Sequence, residues 1–186
     1  MTLNKTLLAA SIAVLAFTGS VNAADESGNA NANGKIQFKG QFIDTTCTIE
    51  ANNSSKSEGV VQLGTWLTSV FKDNIGKKSE AVPFTIRLSN CPTMLTKARV
   101  YFKGAEHLAN TELYKVDNVA GVGIGISSDE AGTAYYPPNS EAKEIKLDKK
   151  TNSGEETYYA RYQTVTAEVT EGTANADVTV TIQYNQ

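Results

Sequence analysis

The stretch that decides the fold is "TEGTANADVTVTIQYNQ", residues 170–186. Within it, Asp177-Val178-Thr179-Val180-Thr181-Ile182-Gln183-Tyr184 alternates polar and apolar residues almost to the final position. A period of two puts one set of side chains on each face of an extended chain, so a half-buried β-strand is predicted over Asp177 to Tyr184. Chain ends usually fray. A strand this regular at an end needs a core for Val178, Val180, Ile182 and Tyr184 to face.

Working outward, the same pattern recurs. "VPFTIRLSNC" (82–91) alternates Phe84, Ile86 and Leu88, "ARVYFKG" (98–104) follows as a strand, and "VAGVGIGIS" (119–127) alternates Val122, Ile124 and Ile126 with glycines. "TYYARYQTVTAEV" (157–169) predicts a long strand with a turn after it around Gly172, and "KEIKL" (143–147) a charged edge strand. "VVQLG" (60–64) predicts a short strand, "EANNSSKSEG" (50–59) a loop. "WLTSVFKDNIGKKSE" (66–80) reads as a short helical or irregular crossing with Trp66, Val70 and Phe71 as core candidates. In "KIQFKGQFI" (35–43), Ile36, Phe38, Gly40 and Phe42 share one face and Lys35, Gln37, Lys39 and Gln41 the other. A glycine on the apolar face of a strand weakens it or marks a close backbone approach. No long helical period appears, and many short strands between turn signals predict an all-β sandwich, immunoglobulin-like in broad architecture.

The first 23 residues, "MTLNKTLLAASIAVLAFTGSVNA", carry one lysine, an apolar run from Leu7 to Phe17 and a small-residue end. That is the pattern of a secretory signal peptide cleaved after Ala23, and the run is short for a membrane span of about 20 residues. The polar, small-residue stretch 24–35 predicts a flexible leader. The remainder forms a single domain large enough to bury a core. The net charge is −3, and the signal segment contributes one lysine and no acid, so the rest is slightly more acidic. A mildly acidic surface without a basic cluster disfavours nucleic acid or anionic lipid as the main partner.

Two cysteines, Cys47 and Cys91, in an exported chain predict a disulfide. A metal pair and two free thiols are the alternatives. Two sulfurs and the single, distant His107 do not complete a tetrahedral zinc site. A bridge closing so long a loop is worth about 4 kcal/mol in the chain-entropy picture. Other chemistry is sparse. His107 lies in "GAEHLAN" without a nucleophile nearby and reads as a surface histidine, and no G-x-S-x-G elbow is present. "GVGIG" lacks the spacing of a phosphate-binding loop. Asp129/Glu130 and Glu155/Glu156 read as solvated turns. Asn52 and Asn53 fit the glycosylation pattern and mark a surface loop. Tyr135-Tyr136-Pro137-Pro138 is the one aromatic candidate for stacking, and reads as a rigid loop. No metal, cofactor or small-molecule substrate is expected, and an enzyme is disfavoured.

Taken together, "GKIQFKGQFIDTTCTI", "VQLG", "PFTIRLSNC", "VYFKG", "GVGIGI", "YYARYQ" and "EGTANADVTVTIQY" resemble, in order and over nearly the whole chain after residue 23, the pilin subunits of chaperone–usher fimbriae, closest to the type 1 major-pilin group. The resemblance implies an incomplete immunoglobulin-like sandwich lacking its last strand, completed in trans by donor-strand complementation. It implies a signal peptide (1–23), an N-terminal extension (24–43) and a pilin domain (44–186). Ile36, Phe38, Gly40 and Phe42 are then the donor strand. Gly172, Val178, Val180, Ile182 and Tyr184 mark the groove and chaperone-binding strand. Gly172 stands fourteen positions before the final residue, as in the family's C-terminal motif. One departure is that the family's penultimate aromatic is here Tyr184, followed by Asn185 and Gln186, so the anchoring of the carboxylate by the chaperone shifts along the chain. The implied partners are neighbouring pilin subunits in a homopolymer, a periplasmic chaperone and an outer-membrane usher. The implied location is an extracellular fimbrium reached through the periplasm. An adaptor, a terminator or, less well, a tip adhesin are the other roles within such a fibre.

Overall fold

A computed structural model describes Gln37 and residues 46–184 except 53, 55 and 56. The signal segment expected over 1–23 and the donor residues Ile36, Phe38, Gly40 and Phe42 lie outside the described residues. The elements are β1 (Thr48–Ala51), α1 (Thr68–Phe71), β2 (Val82–Ser89), β3 (Lys97–Lys103), β4 (Glu106–His107), β5 (Asn110–Lys115), β6 (Val122–Ser127), β7 (Ile145–Lys146), β8 (Gly154–Thr164) and β9 (Thr179–Tyr184). They form a six-stranded sheet in the order β1-β2-β8-β6-β5-β4 and a three-stranded sheet in the order β7-β3-β9. Every ladder is antiparallel.

The alternating residues of β2 and β3 explain why the sheets face each other. Phe84, Ile86 and Leu88 point inward from β2, and Ala98, Val100 and Phe102 from β3, and all six are buried. The Phe102 ring meets Phe84 of the opposite sheet at 5.8 Å and Tyr158 of β8 at 5.0 Å, both edge-on. Edge-on aromatic pairs add about 0.5–1.5 kcal/mol to the burial itself. Two phenols are carried into this core with their hydroxyls satisfied. Tyr114 donates to the Phe102 carbonyl at 3.1 Å, and Tyr158 to the Lys143 carbonyl at 2.6 Å.

β6 is buried at every position. Val122, Ile124 and Ile126 enter the core, and the small residues between them leave room for a second layer on the outside. A Cβ on Gly123 would meet Leu113 at 2.8 Å, and one on Gly125 would run into the Tyr135 ring. Tyr135 is held there by donating to Gln163 Oε1 at 2.9 Å, and the Tyr136 amide donates to the Ile126 carbonyl at 2.7 Å. The 135–138 segment is therefore a strap over the sheet, in keeping with a rigid loop.

Cys47 and Cys91 are bonded to each other with their Cα atoms 4.3 Å apart. The bond sits just beyond the first pair of the β1–β2 ladder, Thr48 with Ser89, and fastens a four-residue edge strand to the body of the sheet.

Several expectations need correction. Residues 60–64 form no strand, although Leu63 is buried and Val61 packs on the core. Their backbone joins no ladder among the described residues, so alternation alone did not make a strand there. Glu50 and Ala51 belong to β1 rather than to a loop. The long strand begins earlier, at Gly154, and ends at Thr164, where Val165 turns to bond Gly121. The last strand is shorter than Asp177 to Tyr184. β3 ends at Lys103, which pairs with Thr179, so Asp177 and Val178 have no ladder partner among the described residues. Of the three core candidates in the crossing, Phe71 is buried, while Trp66 and Val70 remain exposed. His107 lies in β4, part of a hairpin with β5 that was not expected.

Burial pushes the phenols of Tyr114 and Tyr158 well above the usual tyrosine value. A tyrosine whose folded value is raised contributes stability below pH 10, the unfolded value, and loses it as pH rises further. Denaturant midpoints should therefore fall steeply from about pH 10 upward. A midpoint that is the same at pH 9 and pH 11 would contradict the burial of these hydroxyls.

Candidate functional site

A sheet edge is a row of unpaired N–H and C=O groups, and proteins blunt such edges with short strands, charge or covers. Three of the four sheet edges among the described residues are treated that way. β1 has four residues and a disulfide, β4 has two residues and an irregular register, and β7 has two residues. The fourth edge belongs to β9, which is six residues long and regular. β9 pairs with β3 from Ala98↔Tyr184 to Lys103↔Thr179, and no strand among the described residues pairs with its other side.

The apolar face of this last stretch is also unfinished. Ala174, Ala176, Val178, Val180, Ile182 and Tyr184 all pack against the core yet are only partly buried. Their neighbours one strand away, Ala98, Val100 and Phe102, are 0 %, 0 % and 1 % exposed. The residue types are alike, so position makes the difference: among the described residues β3 is flanked on both sides and β9 on one.

Both ends of this row are fixed. At the C-terminal end, the Cys47 backbone hydrogen-bonds the Tyr184 hydroxyl, while burial pushes its phenol up. The aromatic that closes the strand is thereby tied to the disulfide-bearing strand of the other sheet. At the N-terminal end, Gly172 has φ +150°, and a Cβ there would lie 2.7 Å from the Asn118 carbonyl oxygen. Only glycine takes this conformation easily and allows so close an approach. The residues after it are held in turn. The Asp117 amide donates to the Asn175 carbonyl at 2.8 Å, and the Tyr162 hydroxyl donates to the Ala174 carbonyl at 2.8 Å.

Beside this end lies a cleft of about 460 Å³ between residues 64–71 and residues 169–175, with Trp66, Phe71, Val119, Val169 and Ala174 in its walls. Trp66 is set at its rim by donating Nε1–H to the Leu63 carbonyl at 2.7 Å and by meeting Phe71 edge-on at 5.9 Å. The cleft was not apparent from sequence, because its walls come from segments about 100 residues apart. The arrangement offers an extended apolar chain a place to lie: backbone partners along β9 and a half-covered row of side chains beneath.

The groups considered for chemistry lie elsewhere. His107 Nδ1 accepts from the Ala109 amide at 3.1 Å in the β4–β5 hairpin, and its proton affinity is lowered by burial and then by Lys115. Asp129 is held below the usual carboxylate range by hydrogen bonds from Thr133 and the neighbouring amides of its turn. Among the described residues no three metal-ligating side chains come together, and no helix is long and apolar enough to cross a membrane.

Gly172→Val should lower stability by about 1–3 kcal/mol, from strained backbone and the clash with Asn118. Urea denaturation of the purified variant and its parent, side by side, checks this. An unchanged midpoint would remove the constraint placed on this corner.

Residues 36–185 match the protein family described as "Fimbrial protein". The chain is 31% identical over 178 residues to the "Probable major fimbrial subunit LpfA" of Escherichia coli O157:H7, covering 93% of each chain. It is 30% identical over 194 residues to the "Type-1 fimbrial protein, A chain" of Escherichia coli, covering 97% of this chain and 98% of that one. Among solved structures it resembles the P pilus rod subunit PapA, with a TM-score of 0.62 and 21% identity over 76% of this chain and all of that one. The fold is thus the incomplete immunoglobulin-like sandwich expected from the sequence.

Proposed function

The chain belongs to the fimbrial protein family and is a structural subunit of extracellular fimbriae, and we propose that its copies are joined by donor-strand exchange. The unblunted, half-covered edge of β9 carries this reading. An exposed regular edge above apolar side chains would aggregate if left uncovered. Strand addition satisfies it: backbone hydrogen bonds supply affinity, and alternate side chains fix register.

The proposed donor is the N-terminal extension, residues 24–43, of a neighbouring copy, freed by cleavage after Ala23. Ile36, Phe38 and Phe42 face the groove, each contributing about 1.5–3 kcal/mol of apolar burial. Gly40 fits where the groove leaves no room for a side chain. The acceptor is residues 172–184 of the pilin domain, 44–186. A periplasmic chaperone covers the same edge until an outer-membrane usher passes the subunit to the fibre. The names of the relatives, a type-1 A chain and a probable major subunit, favour the role of repeating rod subunit over adaptor, terminator or adhesin. The protein works as a building block and not as an enzyme.

Gly40→Leu tests the register. A larger side chain in a filled pocket displaces packed neighbours at about 1–3 kcal/mol. The variant should reach the periplasm at the parent's level and yield far fewer fibres, seen by electron microscopy and by the ladder of detergent-resistant oligomers. Normal fibre yield would sink the assignment of Gly40 to the groove.

A further inference from the structure

We propose that the tip of the β4–β5 hairpin is a proton-operated switch: the neutral imidazole of His107 holds the turn, and the turn rearranges when that imidazole gains a proton. The inference does not depend on strand exchange.

The ladder does little to fix this turn. His107 pairs with Asn110 and Glu106 with Tyr114, so β5 advances from Asn110 to Tyr114 while β4 advances a single residue. Leu108 and Ala109 are left as a two-residue loop. Such loops favour glycine, asparagine or aspartate with positive φ. Leu108 and Ala109 are neither these types nor in that conformation. Side chains do the holding instead. His107 Nδ1 accepts from the Ala109 amide at 3.1 Å, and Asn110 Oδ1 accepts from the Glu112 amide at 3.0 Å. Each bond joins a side chain to the amide two residues on, as asparagine and aspartate do in Asx turns. In the first of them a histidine stands where an asparagine would serve.

That choice of residue makes the bond depend on protonation. An asparagine oxygen accepts at every pH. A neutral imidazole accepts at Nδ1 while its proton is on Nε2, and an imidazolium carries N–H at both nitrogens and accepts at neither. A proton on Nδ1 would point at the Ala109 N–H, two donors facing each other. The bond then breaks and the Ala109 amide, on an exposed residue, turns to water. Leu108 lies between the two bonded residues and is 97 % exposed. It moves with the turn, so the apolar side chain presented at the tip is placed differently in the two states.

The surrounding charges set where the switch lies. Glu106 precedes the imidazole on β4. Glu112 and Lys115 lie on β5, the one strand paired with β4 among the described residues. Lys103 stands before the root of the hairpin, and Asp177 passes beside Gly104 there. Burial first and Lys115 second lower the proton affinity of His107 below the ordinary histidine value of 6.5. A lowered value means that the folded turn favours the neutral ring. The tip is therefore fully held above pH 6.5 and loosens as pH falls through the folded value.

His107 is the single histidine of the chain, so its imidazole gives one unambiguous NMR signal. The test follows that signal and the Ala109 amide in the isotope-labelled full chain from about pH 8 to about pH 5. The imidazole should titrate with a midpoint below 6.5, and the Ala109 amide should shift with the same midpoint. Corrected for the intrinsic pH dependence of exchange, the hydrogen-exchange protection of Ala109 should fall about tenfold on protonation, while Ile86 and Tyr158 in the core keep theirs. His107→Asn should leave the Ala109 amide unchanged across the range, because its side-chain oxygen accepts throughout. An imidazole that titrates without moving Ala109 would overturn the switch. A midpoint at or above 6.5 would do the same, as would a His107→Asn chain whose Ala109 amide still responds to pH.

Discussion

The structure depends on one ladder, β3 with β9. Among the described residues it is the one ladder that holds the last strand, whose apolar face rests on a core built by β2, β3 and β8. A strand held on one side leaves half its backbone groups and part of each inward side chain to be covered by something else. Everything that marks the site follows from that. The partial burial from Ala174 to Tyr184 and the open backbone edge both go with β9 having one ladder among the described residues.

The remainder of the fold holds that edge rigid rather than hiding it. The disulfide fastens β1, and Cys47 in turn bonds the hydroxyl that ends β9. Gly172 lets the chain pass against Asn118, and Tyr162 pins the carbonyl two residues later. Ordering these elements beforehand lowers the entropy cost of adding a strand. The other three edges among the described residues are short or irregular.

Much of this was legible in the sequence, for a physical reason. β2, β3, β8 and β9 each turn one face to the core, so their residues alternate, and the half-buried row on β9 follows from the same alternation; β6 is covered on both faces and alternates because glycines fill the outer one. The signal fails where burial is two-sided or where pairing is absent. Leu113 and Tyr114 are adjacent and both fully buried, one under the outer layer and one in the core, so β5 shows no period of two. Val61 and Leu63 alternate correctly but join no ladder among the described residues, and alternation alone does not encode pairing. The cleft and the bond from Cys47 to Tyr184 join residues far apart in the chain, and no local pattern encodes them. The family resemblance implied a missing strand, and among the described residues β9 is a regular six-residue edge.

The most direct measurement is thermal unfolding of a chain made to complete itself. Residues 28–44, "GNANANGKIQFKGQFID", are fused after Gln186 through a flexible linker, and the native extension is deleted. A segment held at roughly millimolar effective concentration should occupy the edge of β9 within the same molecule. The account predicts a soluble monomer that melts at a much higher temperature than the unfused chain and no longer forms fibres. A fusion that melts at the parent's temperature would contradict the claim that this edge is where the fold is completed.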